Sequence, residues 1–341
     1  MSNFEIPYLT DVFSTLGEQL SYPDDELKAV MADEYHYNAW FTPANVEKAV
    51  TSIGQMLNKN DLLNWLNRYK INLSGNKKVG LVLAGNIPMV GFHDVLCVLI
   101  TGNHAMIKAS SQDVRLIKLV LNRLAAIELE FASRYTFTER LADFDAVIAT
   151  GSNNTSRYFE YYFSKVPHII RKNRNSVAVL TGNETREQFY ELGHDIFDYF
   201  GLGCRNVAKV FVPKLYDFVP FFEAIEPYNA IINHHKYNNN YDYNKSIYLV
   251  NRDKHFDNGF LLLKEDKAMV SPLAVLFFEY YDDLDSLQEK LREENENIQC
   301  IVSSPPPAGG DWGAIDFGQS QQPALWDYAD GVDTMDFLTK L

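Results

Sequence analysis

The chain is short of cysteine and short of positive charge. Its 341 residues hold three cysteines, Cys97, Cys204 and Cys300, and no C-x-x-C pair. So sparse a set excludes a disulfide framework and a cysteine-built zinc cluster, and it suits a reducing compartment. Lysine and arginine number 31 against 45 aspartates and glutamates, a formal net charge of −14. A chain this acidic is repelled by nucleic acid and by anionic membrane surfaces, so neither is an expected partner. No uncharged apolar run reaches spanning length; the longest candidate, "IPMVGFHDVLCVLI", carries His93 and Asp94. The start, "MSNFEIPYLTD", lacks the basic head and apolar core of a signal peptide, and a cytoplasmic location is expected. There is no internal repeat. What is present, 46% hydrophobic and 13% aromatic residues, fits a well-packed globular protein long enough for two domains.

The first seventy residues predict a helical layer, with apolar positions at three- and four-residue spacing. Thr42-Pro43 reads as an N-cap followed by proline at the first helical position. Short apolar runs then alternate with helix-like stretches: "KKVGLVLA", "HAMIKAS", "FDAVIATGS", "NSVAVLTG" and "VAKVFVP" read as strands. Strand, loop and helix at this spacing predict an open, mostly parallel α/β sheet. Further on, "NHHKYNNNYDYNKS" (233–246) reads as a polar loop or exposed hairpin. "PLAVLFFEYYDDLDSLQEKL" reads as strand then helix, "IQCIVSS" as a last strand, and "PPPAGGDWG" as a turn-rich connector.

The stretch "YFGLGCRN" sets Cys204 between glycines and Arg205. A dinucleotide fingerprint needs a strand before the glycines and a helix after, and here the order is reversed. Cys97 and Cys300 lie inside apolar runs and read as small hydrophobes. For Cys204 local context leaves two readings open, a structural thiol or a reactive one, since glycine clearance and a neighbouring cation are what activate thiols. A thiolate attacking a carbonyl needs donors for the oxyanion, and Asn86 of "AGNIP" is a candidate beside the reading of a turn or cap residue. His194 reads as a bystander. His234-His235 lacks the further ligands of a metal site.

"GNIP", "GNHAMIKASS", "ATGSNNTSRYF" and a glycine-flanked cysteine occur in that order between about 77 and 213. The combination resembles the aldehyde dehydrogenase superfamily, and "LAGNIPMVG" and "RKN" resemble its LuxC-type acyl-CoA reductase branch in compact form. The resemblance implies a helical N-terminal layer, a Rossmann-type parallel-sheet cofactor domain and a second α/β catalytic domain. The expected boundaries are 1–174 for the layer and cofactor domain and 175–309 for the catalytic domain. The tail 310–341 is expected to pack back on the first domain or on a partner subunit. It implies Cys204 as nucleophile and Asn86 as oxyanion donor. Lys108, Ser110, Ser111, Gly151 and Ser152 are implied as cofactor contacts, with a homo-oligomer expected.

Three departures from the family sharpen the expectation. The segment that carries a water-activating glutamate in hydrolytic members reads "IIRKNRNS", with Arg171 near that position. Without a base, water attack on a thioester is slow, which favours reduction of an acyl-CoA or carrier-bound thioester, fatty by the apolar tail, to its aldehyde. A reductase of acyl phosphates with the same fold and a catalytically degenerate binding protein are the alternatives. "IKASSQD" has no acid after the lysine to grip a ribose hydroxyl, which favours NADPH over NADH. The family's E-x-F-G-P segment reads "AMVSP" (268–272), with Ala268 in place of the glutamate and Glu265 or Asp266 as conceivable substitutes.

Overall fold

The computed structural model describes residues 5–71, 76–304 and 312–341. The chain divides into two compact units, Met1–Asn173 with Pro323–Leu341, and Arg174–Gln322. The boundary expected at 309 and most of "PPPAGGDWG" fall outside the described residues.

In the first unit the helical layer forms as α1 (Ile6–Ser21), α2 (Asp25–Asp33), α3 (Pro43–Met56) and α4 (Lys59–Leu66). Thr42 caps α3: its hydroxyl accepts from the Asn45 N–H at 3.4 Å, and Pro43 holds the first helical position. Leu9, Phe13, Leu16 and Leu20 of α1, spaced by one helical turn, enter the core. Next come β1 (Lys78–Val82), α5 (Phe92–Ile100), β2 (His104–Lys108), α6 (Val114–Ile127), β3 (Tyr135–Phe137), β4 (Ala146–Thr150), α7 (Asn153–Phe163) and β5 (His168–Arg171). The five strands run parallel in the order β3-β2-β1-β4-β5. The chain builds outward from β1 to β3, then returns to the other side of β1. Sheets of this kind bind ligands at the carboxyl edge beside that reversal.

Residues 323–341 belong to the same unit. Leu325, Tyr328, Met335 and Leu338 join its core, and the indole N–H of Trp65 donates to the Tyr328 hydroxyl at 2.7 Å. Arg171, which the sequence places near the position of the family's glutamate, is a buried cation of the first unit. It is 3% exposed, pairs with Asp94 of α5 at 2.7 Å, and donates to the Thr334 hydroxyl at 2.8 Å. A buried guanidinium is tolerated when its fork is filled in this way.

The second unit runs through β6 (Asn175–Val179), α8 (Arg186–Phe197), β7 (Val207–Pro213), α9 (Val219–Ile225), α10 (His235–Asn251), β8 (Phe256–Asp257), β9 (Leu262–Glu265), β10 (Val275–Tyr281), α11 (Leu284–Glu293) and β11 (Ile298–Val302). Its sheet order is β11-β6-β7-β10-β9-β8, parallel except for the β8–β9 pair. The polar stretch expected to be a loop is instead the 17-residue helix α10. Tyr237, Tyr241, Asn244 and Tyr248 form its buried face, with the Tyr237 hydroxyl on the Phe260 carbonyl at 3.0 Å and the Asn244 amide on that of Leu273 at 2.9 Å. Tyrosines suit this face because a ring can be buried while its hydroxyl finds an acceptor, as those of Tyr237 and Tyr241 do on the Phe260 carbonyl and the Asp257 carboxylate.

Candidate active site

In the first unit the residues singled out from sequence gather at the carboxyl edge of the five-stranded sheet. Lys108 ends β2 opposite Val82 of β1, and the Leu83 N–H donates to its carbonyl at 3.1 Å. The next loops touch: a Cβ on Gly85 would lie 2.5 Å from the Ser110 Cβ, so only glycine lets the "GNIP" turn pass there. Asn86, next in the chain, is exposed and makes no side-chain hydrogen bond among the described residues. Lys108 and Ser111 are exposed, and the Ser110 hydroxyl accepts from the Gln112 N–H at 3.3 Å. On the other side of β1, Gly151 follows β4 and Ser152 caps α7, accepting from the Thr155 N–H at 3.3 Å. An aspartate missed from sequence ties these loops. Asp113 is fully buried and accepts from the Met89 N–H at 2.9 Å, while its second oxygen has no partner among the described residues. Burial pushes its carboxyl well above the usual carboxylate range, against that bond.

In the second unit Cys204 stands on a turn between α8 and β7. Tyr199 (φ 52°, ψ 28°), Phe200 (φ 62°, ψ 25°) and Gly201 (φ 76°) are left-handed in succession, and Gly203 has φ 96°. Non-glycine residues held there cost about 1–3 kcal/mol each, and such strain collects at functional sites. Two contacts hold it: Tyr199 is buried, and the Phe200 ring stacks on His234 with centroids 4.1 Å apart. His234 is thus a packing partner and the cap of α10, its Nδ1 accepting from the Tyr237 N–H at 3.4 Å. Cys204 is half-buried, and its carbonyl accepts from the Ser176 hydroxyl at 3.1 Å. Arg205 reaches the Ser320 carbonyl at 3.5 Å. Cys97 is buried in α5, and burial raises its thiol well above the usual range. His194 pairs with Asp198 at 3.3 Å.

Segment 318–320 is held by Asp195 of α8, a residue that sequence reasoning passed over because one acid in a helix gives no signal. Its fully buried carboxylate accepts from the Gly318 N–H at 2.7 Å and the Ser320 N–H at 3.0 Å. Burial lifts its pKa from 3.8 to about 6, opposed by these bonds. Between pH 4 and 6 the folded protein therefore keeps a proton that the unfolded chain has released, so stability falls as pH rises through that window. The expected loss is about 3 kcal/mol, complete above pH 6. Urea midpoints of wild type and Asp195→Asn, compared from pH 4 to 7, check this. The difference between the two proteins shifts across the window, and a difference independent of pH would refute the assignment.

The altered "AMVSP" segment follows β9. Glu265 is exposed at the end of that strand. The Asp266 carboxylate is engaged with the Ala268 N–H at 3.0 Å and with Lys264 at 3.4 Å, and the backbone bond leads in holding its pKa down. The turn is anchored from below by Lys209 of β7. Its fully buried ammonium donates to the carbonyls of Asp266 and Lys267, both at 3.0 Å, and to Glu279 at 2.6 Å. Among the described residues no group of three His, Cys, Asp or Glu could hold a metal ion, and no helix is long and apolar enough to cross a membrane.

No protein-family model and no curated protein sequence matches the chain. Solved structures do. Aldehyde dehydrogenase 21 from Physcomitrella patens, in complex with its reaction product succinate, is 11% identical, with a TM-score of 0.68 over 99% of this chain and 84% of that one. The aldehyde dehydrogenase KauB from Pseudomonas aeruginosa is 12% identical, with a TM-score of 0.63 over 91% and 78%. A Mycobacterium tuberculosis aldehyde dehydrogenase complexed with NAD+ is 12% identical, with a TM-score of 0.60 over 84% and 70%. At these identities the likeness establishes the fold, the α/β architecture of the aldehyde dehydrogenases.

Proposed function

We propose that the protein is a nicotinamide-dependent oxidoreductase that reduces an acyl thioester to its aldehyde through an acyl group held on Cys204. One observation carries the reading. Of the three thiols, two lie within regular elements, and Cys204 alone stands on a strained, glycine-cleared turn at the head of a sheet strand.

The residues at the first sheet's carboxyl edge suit a dinucleotide. The N-terminus of α7 offers a positive dipole end to a pyrophosphate. Lys108 and Ser111 present a cation and a hydroxyl. Asp113, the first acid after the lysine, is buried and turned to the Met89 N–H rather than presented to a 2′-phosphate. This favours NADPH, with NADH the alternative. Gly151 and Ser110 keep a backbone role in the loops that would receive it. When bound, the nicotinamide supplies the hydride.

The Cys204 thiolate attacks the thioester carbonyl and the new C–S bond forms; collapse of the resulting oxyanion breaks the old C–S bond, and the donor leaves as its thiolate. The Cys204 N–H and the Asn86 amide stabilise the oxyanion, the part of Asn86 resting on the order of motifs along the chain. Hydride addition to the same carbon then expels the Cys204 thiolate and frees the aldehyde. Arg171 supports reduction over hydrolysis, because the side chain near the usual base position is a buried cation paired with Asp94.

The test is intact-mass analysis after incubation with short- and long-chain acyl-CoA and with an acyl phosphate, followed by absorbance at the nicotinamide band with NADPH or NADH. Wild type gains one acyl mass from a thioester and oxidises NADPH. Cys204→Ala gains none and loses turnover by about 10³-fold or more. A wild type that takes no acyl group from any donor overturns the reading, and one acylated by acyl phosphate alone replaces the thioester.

A further inference from the structure

We propose that Ser176 and Cys300 form a hydrogen-bond chain that positions the nucleophile, the Cys300 S–H donating to the Ser176 hydroxyl and that hydroxyl donating to the Cys204 carbonyl. The proposal rests on the reading of Cys204 as nucleophile and adds two residues to its support.

Ser176 is the second residue of β6 and is fully buried. It grips the turn at two points. Its backbone N–H donates to the Asn206 carbonyl at 2.9 Å, and its hydroxyl donates to the Cys204 carbonyl at 3.1 Å. The hydroxyl has one proton, and that proton faces Cys204. Its remaining contact, the Cys300 Sγ at 2.9 Å, is therefore made by accepting. Cys300 reaches the hydroxyl because β11 pairs in parallel with β6 and its register shifts between Ile298 and Ile301, the stretch that contains Cys300. Such an irregularity re-aims a side chain.

The thiol's protonation agrees with the direction of the chain. Burial pushes the Cys300 pKa up to about 11, against the pull of Arg205. At neutral pH it is an S–H donor and a poor nucleophile. The two neighbouring cysteines thus take separate tasks: one holds a proton in a fixed bond, the other stands on the turn that this bond secures. Residues 201 and 203 are glycines, and the Ser176 clamp offsets the backbone freedom they bring next to Cys204. Displacing a reacting atom by about 1 Å costs on the order of 100-fold in rate.

The experiment compares wild type, Ser176→Ala, Cys300→Ala and Cys300→Ser in single-turnover acylation of Cys204, in the KM for the dinucleotide, and in amide hydrogen exchange over residues 200–206. Ser176→Ala slows acylation by about 10- to 100-fold with KM unmoved. Cys300→Ala slows it several-fold, and Cys300→Ser, which restores a donor, recovers most of that loss. Exchange over 200–206 speeds up in the two alanine variants. Ser176→Ala acylating and exchanging like wild type overturns the proposal, as does Cys300→Ser behaving like Cys300→Ala. If wild type takes up no acyl group, the reading of Cys204 fails and exchange alone decides: faster exchange in both alanine variants supports the chain, unchanged exchange overturns it.

Discussion

Lys209→Met unfolds more easily than wild type by about 3–5 kcal/mol, the usual result of breaking a buried ion pair from one side. The lysine is surrounded by acceptors: the Glu279 carboxylate at 2.6 Å and two backbone carbonyls at 3.0 Å. Burial lowers its pKa, and Glu279 pulls the other way. On Glu279 burial acts upward, but the hydrogen bonds from Lys209 and Lys290 outweigh it and hold that carboxyl low. Methionine fills the volume and leaves the Asp266 and Lys267 carbonyls without their donor, so the turn into residues 268–272 loosens as well. Denaturant unfolding gives the loss directly, and the melting temperature drops by roughly 10 °C. A variant within 1 kcal/mol of wild type would show that the ammonium is dispensable.

Gly203→Ala lowers single-turnover acylation by about 100-fold while costing only about 1–2 kcal/mol in stability. Its φ of 96° is one that a Cβ resists, so the backbone moves, and the next residue is Cys204. The molecule contains its own control. Gly259 has the same φ of 96°, and a Cβ there would meet nothing within 4 Å. Gly259→Ala should therefore show a similar stability loss with acylation retained. Equal acylation in the two variants would mean that the geometry before Cys204 does not matter.

The sequence was legible where burial is written in apolar residues. β1, β4, β6 and β7 appear as short aliphatic runs because each is covered on both faces, β2 shows the alternation of a strand buried on one face, and the helical layer appears because α1 and α3 bury single stripes. It was opaque where burial is written in polar letters. The buried face of α10 is marked by Tyr237, Tyr241, Asn244 and Tyr248, a helical spacing hidden among asparagines. β3 and β5, of three and four residues, are too short to show a period. The glycines around Cys204 announced a turn, but not that Tyr199 and Phe200 before them are left-handed, which depends on a stack with His234 from a distant helix. Asp195, Asp113 and Lys209 could not be read at all, since each is a lone charge whose partners are backbone groups or residues far along the chain.

The first unit is interrupted, its core closed by Leu325, Tyr328, Met335 and Leu338 after the whole second unit has intervened. During synthesis the ribosome delivers the second unit, whole, before those four residues exist. At roughly 5–20 residues per second the first unit waits on the order of ten to thirty seconds with Trp65 and its neighbours uncovered. The part of the protein translated first is thus the last to finish folding, and it is the one that spends that interval needing protection from aggregation.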